Sequence, residues 1–170
     1  MKIIVVFGPS GSGKTFYIEK EIIKGLFLDE TKFDGVDVSV NKGEKLLLFG
    51  KYNTPDRCKG CDKLSMAIID PLIASLYAII EEQKYETVVA DGDRVNNDKM
   101  FQFLSQYKKI VEIVFIDTPL DLIFKRLPNC NKQFVKTTFT KTKHTIGKCL
   151  AMGLNVRHIK TARTPFFAKG

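Results

Sequence analysis

The sequence has no tryptophan, only two histidines and four cysteines among 170 residues, and no long apolar run. Its longest apolar stretches, such as 3–7 and 110–116, are far shorter than the roughly 20 residues that a membrane-spanning helix needs. Four cysteines at this length do not make a disulfide scaffold. We therefore expect one soluble globular domain over residues 1–170, without membrane contact.

Two of the four cysteines, Cys58 and Cys61, form a CxxC pair. Such a pair can hold half of a zinc site, with Cys130, His144 or Cys149 as remote partners, or it can act as a redox pair. A second tight pair is missing from the sequence. Two free thiols in a loop are the favoured interpretation, in keeping with a reducing cytoplasm.

The first predicted strand begins directly after Met1, which leaves no room for a signal or transit peptide. We expect the protein to work in the compartment where it is made. That compartment is the cytoplasm, or the host cytoplasm if the chain is viral.

Acidic residues are scarce after residue 120, where Asp121 is the sole countercharge to eleven lysines and arginines. The whole chain has 27 Lys+Arg against 19 Asp+Glu, a net charge of +8. Such a one-sided excess suits a polyanionic partner and suggests that the C-terminal third contacts phosphates. A basic face that is merely solvated is the alternative.

The segment GPSGSGKT at residues 8–15 matches the phosphate-binding loop GxxxxGK(S/T) and stands between an apolar run and an amphipathic stretch. Its backbone amides and the positive end of the following helix bind phosphates. The lysine reaches the β and γ phosphates of ATP, and the hydroxyl ligates Mg²⁺. The predicted contacts are Gly8, Ser10, Gly11, Ser12, Gly13, Lys14 and Thr15.

Short apolar runs alternate with amphipathic segments along the chain, which predicts an α/β fold. We expect a three-layer P-loop NTPase fold whose five-stranded parallel sheet has helices on both faces. The predicted strands are 3–7, 46–49, 87–90, 110–116 and 154–159. The predicted helices are 15–24, 65–83, 99–107, 120–127 and about 136–152.

In residues 87–94, TVVADGDR, a predicted strand runs into two carboxylates, Asp91 and Asp93. A carboxylate at a strand end beside the phosphate loop holds Mg²⁺ or accepts the proton of an attacking hydroxyl, and Asp91 is favoured. Arg94 can pair with a carboxylate or with a substrate phosphate. The alternative is an Asp-Gly turn that only ends the strand.

The irregular segment 48–65 follows another strand, which is where α/β sheets bind substrates. Lys51, Arg57 and Asp62 are candidate substrate contacts, and Tyr52 is a candidate surface on which a base stacks. A solvated loop is the alternative.

A basic stretch begins at Arg126 and is predicted to be a mobile lid over about 126–139. Arginine in such a lid neutralises charge on a transferring phosphoryl group. A solvated basic helix and loop is equally compatible with the composition.

These features together resemble P-loop kinases of the nucleoside and nucleotide kinase superfamily. Within it, a GKY segment followed by GxD and LS is similar to phage 5-hydroxymethyluracil DNA kinases of thymidine hypermodification. Here the pattern has Gly60-Cys61 where a Gly-Gly pair is expected before the aspartate. The matching residues are Gly50, Lys51, Tyr52, Gly60, Asp62, Leu64 and Ser65.

The resemblance implies an ATP- and Mg²⁺-dependent kinase that phosphorylates the hydroxymethyl group of a base in DNA. Lys14 and Arg126 would stabilise charge, and Asp62 or Asp91 would be the general base. One alternative is a small-molecule kinase acting on a deoxynucleoside monophosphate or a sugar. Another is a nucleic-acid-binding ATPase that has no phosphoryl acceptor.

Overall fold

The computed structural model describes residues 1–55 and 59–161, which form one seven-stranded sheet with helices on both faces. The strand order is β2-β3-β4-β5-β1-β6-β7. The strands are β1 Lys2–Phe7, β2 Asp29–Phe33, β3 Val36–Asn41, β4 Leu46–Phe49, β5 Thr87–Asp91, β6 Val111–Asp117 and β7 Asn155–Lys160.

The five predicted strands are present as β4, β5, β1, β6 and β7, and each pairs in parallel with its neighbours within this group. The prediction missed β2 and β3, which add an antiparallel hairpin at one edge. Its turn, Asp34-Gly35, has positive φ at both residues, the backbone that a two-residue hairpin requires. The sheet is therefore seven-stranded and mixed, and the expectation of five strands, all parallel, is corrected.

The helices lie close to the predicted ones, with shifted ends. The longest, α5, begins at Lys132, four residues before the predicted start. Among the described helices, none combines the length and apolar composition needed to cross a bilayer. The bounds are α1 Lys14–Tyr17 continuing as a π-helix over Ile18–Ile23, α2 Ile69–Glu82, α3 Asp98–Ser105, α4 Leu120–Arg126 and α5 Lys132–Ala151.

Two apolar clusters cover the sheet, one on each face. Alternate residues of β1 serve the two clusters, because successive side chains of a strand point to opposite faces: Val5 joins one and Val6 the other. Ile18 and Ile23 cover one face, and buried side chains of α2, α3 and α5 cover the other. This is the three-layer arrangement that the alternation predicts.

The parallel strands bring several polar segments to one edge of the sheet, because the carboxyl ends of parallel strands coincide. The phosphate-loop segment 8–15 follows β1, Gly50 follows β4, and Asp91 ends β5. Val6 of β1 lies in register with Asp91. The fold thus places the predicted donor and acceptor segments side by side.

At the opposite end of the sheet, Glu112 of β6 joins two neighbouring strands. Its carboxylate is 2.6 Å from the Lys2 ammonium of β1 and 2.9 Å from the Arg157 guanidinium of β7, and its side chain is 11 % exposed. Limited exposure to water makes these two pairs stronger than a surface pair.

We expect Glu112→Gln to lower the free energy of unfolding by about 1–2 kcal/mol, because two cations lose their countercharge. Urea denaturation measures the change. Glu86→Gln is the matched control, since Glu86 forms an exposed pair with Lys45, and it should change nothing measurable. Equal effects of the two substitutions would contradict the assignment.

Candidate active site

The loop over residues 8–15 joins β1 to α1 and turns back over the lysine that it carries. Lys14 Nζ donates to the carbonyl oxygens of Gly8 at 2.8 Å and Pro9 at 3.2 Å. Gly13 caps α1 without a side-chain hydrogen bond. The N-terminal end of a helix carries a partial positive charge, which attracts anions.

Residues from α4 pack onto this loop and fix its shape. Arg126 Nη1 donates to the Ser12 carbonyl oxygen at 3.1 Å. A Cβ at Gly11, whose φ is +78°, would lie 2.6 Å from Leu127 Cδ1. Gly11 is therefore required both for its backbone conformation and for its packing. The structure places Arg126 at the phosphate loop, where the sequence predicts a catalytic cation.

Asp91 is buried at the end of β5 and is held by two donors from the segment after β4. Its Oδ1 accepts from the Tyr52 hydroxyl at 2.8 Å and from the Cys61 amide at 3.1 Å. Burial raises the pKa of Asp91 to about 6, although both hydrogen bonds act in the opposite direction. Lys14 is close enough to lower the pKa of the same carboxyl.

Gly60 permits the close approach between the loop after β4 and Asp91. Its φ is +68°, and a Cβ there would lie 2.6 Å from the Tyr52 hydroxyl and closer still to Asp91 Oδ1. Gly60 and Lys51 form an isolated antiparallel bridge. Glycine at residue 60 therefore allows the loop after β4 to pack against the end of β5.

Asp62 lies in a 3₁₀ turn, Cys61–Lys63, and is half-buried. Its Oδ1 accepts from the Asp93 amide at 3.2 Å. Burial raises the pKa of Asp62, while the Lys14 ammonium lowers it. Lys14 thus acts on both carboxyls, because Asp62, Asp91 and the phosphate loop lie near one another.

Arg94 stands beside this site with no carboxylate within salt-bridge distance anywhere in residues 1–55 and 59–161. Its Nη1 contacts the sulfur of Met66, and its Nε is buried without a hydrogen-bond partner. The charge nevertheless acts on Asp62, whose pKa it lowers. Of the two predicted roles for Arg94, pairing with a carboxylate is therefore not observed.

The prediction that Tyr52 offers a stacking surface is wrong. Tyr52 is 4 % exposed, packs in one of the two apolar clusters and directs its hydroxyl at Asp91. The sequence prediction failed because the hydroxyl satisfies a buried carboxylate, which draws the ring inside. Tyr52 positions Asp91 and does not contact a base.

The other predicted substrate contacts are not gathered in one place. Lys51 is exposed and lies 3.8 Å from Asp37. Arg57 lies outside the described residues. Thr15 is the second residue of α1 and is half-buried.

Of the two cysteines in the CxxC pair, Cys61 is among the described residues. Cys61 is buried, and its Sγ donates to the Phe49 carbonyl oxygen at 3.5 Å. Burial raises the pKa of the Cys61 thiol well above its ordinary value. Cys58 lies outside the described residues, and no group of three or more potential metal ligands occurs in the part of the chain that is described.

Sequence reasoning missed Thr118, which follows β6 and supports the phosphate loop. Its Oγ1 donates to the Ser12 carbonyl oxygen at 2.9 Å and lies 2.7 Å from Thr161 Oγ1. Thr118 could have been predicted from its position directly after a buried strand, because the carboxyl ends of the parallel strands meet at the site.

The predicted lid, 126–139, consists of the last residue of α4, a five-residue connection and the first turns of α5. The side chain of Asn131 caps α5 by accepting from the Phe134 amide at 3.0 Å. Closure of this segment over a substrate stays a prediction.

No protein-family model and no curated protein matches this chain. Two solved structures that resemble it are kinases. One is deoxyadenosine kinase from M. mycoides with bound dATP, at 10 % identity and TM-score 0.45, covering 94 % of this chain and 91 % of that one. The other is an unliganded sugar kinase from a Janibacter species, at 15 % identity and TM-score 0.42, covering 94 % and 85 %. Because both TM-scores are below 0.5, neither resemblance supports a function for this chain. The functional proposal rests on the geometry of the site.

The raised pKa of Asp91 makes stability depend on pH. The folded chain keeps a proton that the unfolded chain releases above about pH 4, so stability falls as pH rises towards 6. We expect this loss to be about 3 kcal/mol and to be absent in Asp91→Asn, whose amide oxygen still accepts both hydrogen bonds. Urea denaturation between pH 3.5 and 7 measures it, and parallel curves for the two proteins would contradict the assignment.

Proposed function

We propose that the chain is a nucleoside-triphosphate-dependent phosphotransferase. The observation that carries the proposal is the position of Lys14, which belongs to the phosphate loop and acts electrostatically on both Asp62 and Asp91. A cation between a phosphate-binding loop and two carboxylates has the charges that phosphoryl transfer requires. One element binds the donor, and the other faces the acceptor.

The residues present fit ATP and Mg²⁺. Lys14 and Arg126 supply two cations for the triphosphate at the positive end of α1. Thr15 and Asp91 supply the oxygen ligands that Mg²⁺ prefers. When bound, Mg²⁺ would neutralise negative charge that develops on the phosphates during transfer.

The two carboxylates have different surroundings, which supports different roles. Asp91 is buried and uses Oδ1 for two hydrogen bonds, so it suits a fixed metal-facing position. Burial raises the pKa of both carboxyls, which makes either one a better base. Asp62 is the more exposed of the two, so we assign Asp62 as the base that accepts the proton of the attacking hydroxyl.

A small hydroxyl-bearing molecule is the acceptor that this site suits best. Asp62 lies against Gly92, where a Cβ would lie 2.5 Å from its Oδ1, so no side chain stands between this carboxylate and the backbone at residue 92. Arg94, with its unpartnered buried Nε, favours an acceptor that also has an anionic group. A deoxynucleoside monophosphate has both a hydroxyl and an anionic group.

The second candidate acceptor is the hydroxymethyl group of 5-hydroxymethyluracil in DNA. The sequence pattern from Gly50 to Ser65 supports it, as does the basic charge after residue 120. Such an enzyme must flip the base or use a distorted strand, because a base stacked in a duplex cannot present its hydroxymethyl oxygen to the γ phosphate.

We expect Lys14→Ala to reduce transfer at least 100-fold, because the γ phosphate loses its cationic partner. Lys42→Ala is the matched control, since Lys42 is exposed in the turn between β3 and β4, at the other end of the sheet. Full activity in the Lys14 variant would overturn the proposal.

The acceptor is identified with γ-labelled ATP and three sets of acceptors: free nucleosides and nucleotides with sugars, unmodified DNA, and DNA containing 5-hydroxymethyluracil. Label in a free small molecule supports the first candidate, and label only in modified DNA supports the second. Release of phosphate stimulated by DNA, with no labelled acceptor, would instead indicate an ATPase.

A further inference from the structure

We propose that the outer face of α5, together with the groove between α5 and the start of α3, binds the sugar–phosphate backbone of a nucleic acid. The inference deepens the second acceptor candidate and rests on that candidate for its biological role. The binding surface is separate from the phosphotransfer site, because no hydrogen bond or ion pair within residues 1–55 and 59–161 joins α5 to the loop over 8–15.

The first observation is the charge of α5. Over 20 residues this helix has no acidic side chain. Its five lysines and one histidine are distributed along its length, and four of the lysines and the histidine are exposed. These residues are Lys132, Lys136, Lys141, Lys143, His144 and Lys148.

Internal ion pairs account for only part of this charge. Lys143 pairs with Asp117 at 2.9 Å, and Lys148 pairs with Asp98 at 2.9 Å. Lys136 and Lys141 have no carboxylate partner in the described residues. The two residues are about 7.5 Å apart along the helix axis and about 140° apart around it, so they flank the outer face of α5.

The second observation is the groove beside Lys141, which has a volume of about 400 Å³. Asn96 Oδ1 accepts from Thr145 Oγ1 at 2.8 Å, whereas Asn96 Nδ2 is buried without a partner. The groove therefore offers an unused amide donor beside cations. Its acidic lining residue, Asp98, is paired with Lys148, which also lines the groove, and the other lining residues are Asn96, Asn97, Lys99, Lys141, His144 and Thr145.

The polar character of α5 favours a nucleic acid over a lipid surface. Phe134 and Leu150 are exposed, but they lie at opposite ends of the helix, roughly 24 Å apart along its axis. The surface between them lacks the apolar stripe with which an amphipathic helix enters a bilayer. Ammonium, hydroxyl and amide groups are the donors that contact phosphate and sugar oxygens.

The test is fluorescence anisotropy with a labelled 20-nucleotide single strand and the matching duplex, at several salt concentrations and without nucleotide. The variant is Lys136→Gln/Lys141→Gln. The control is Lys42→Gln/Lys84→Gln, which removes the same charge from exposed sites at the far end of the sheet. Unfolding midpoints establish that both variants are folded.

For the single strand we expect the α5 variant to lose about 1.4 from the slope of log K against log salt, which is about 25-fold in affinity at 0.1 M salt. The control should retain the full slope. Equal loss in the two variants, or no binding by the wild type, would overturn the proposal. Binding to phosphatidylserine vesicles without binding to either DNA would overturn it in favour of a membrane.

Because the assay contains no ATP, its outcome is separate from that of the phosphotransfer proposal. A Lys14→Ala protein that is inactive should still bind DNA as the wild type does. Loss of DNA binding in that variant would show that the phosphate loop, and not α5, holds the strand.

Discussion

The hydrogen bonds to Asp91 organise the site more than any other interaction. A buried carboxylate is costly to maintain, and here one oxygen receives both the Tyr52 hydroxyl and the Cys61 amide. These bonds tie the loop after β4 to the end of β5. Asp62, the next residue after Cys61, is thereby fixed opposite Lys14 on a frame formed by three strands.

The arrangement of the three strands also determines which charges lie near Asp62 and Asp91. Burial raises the pKa of both carboxyls, and Lys14 acts against this rise at each of them. Because the lysine belongs to the loop after β1, this loop and the two carboxylates are joined by electrostatics as well as by the sheet. Arg126 brings a second cation to the loop from α4.

Sequence patterns predicted the parts of this architecture that depend on local information. The loop at 8–15 and the five parallel strands follow from residue spacing and apolar runs, whereas the hairpin β2–β3 was missed because β2 is exposed and reads as polar. The environment of Tyr52 could not be predicted, since its burial depends on Asp91, 39 residues away. Thr118 likewise acquires its role only when β6 lies beside β1.

The most direct test of the account is phosphoryl transfer by Asp62→Asn, measured together with ATP affinity. If Asp62 accepts the proton and Lys14 with its loop binds the donor, transfer should fall about 100-fold or more while ATP affinity stays near the wild-type value. Undiminished transfer would contradict the account, as would a loss of ATP affinity as large as the loss of transfer.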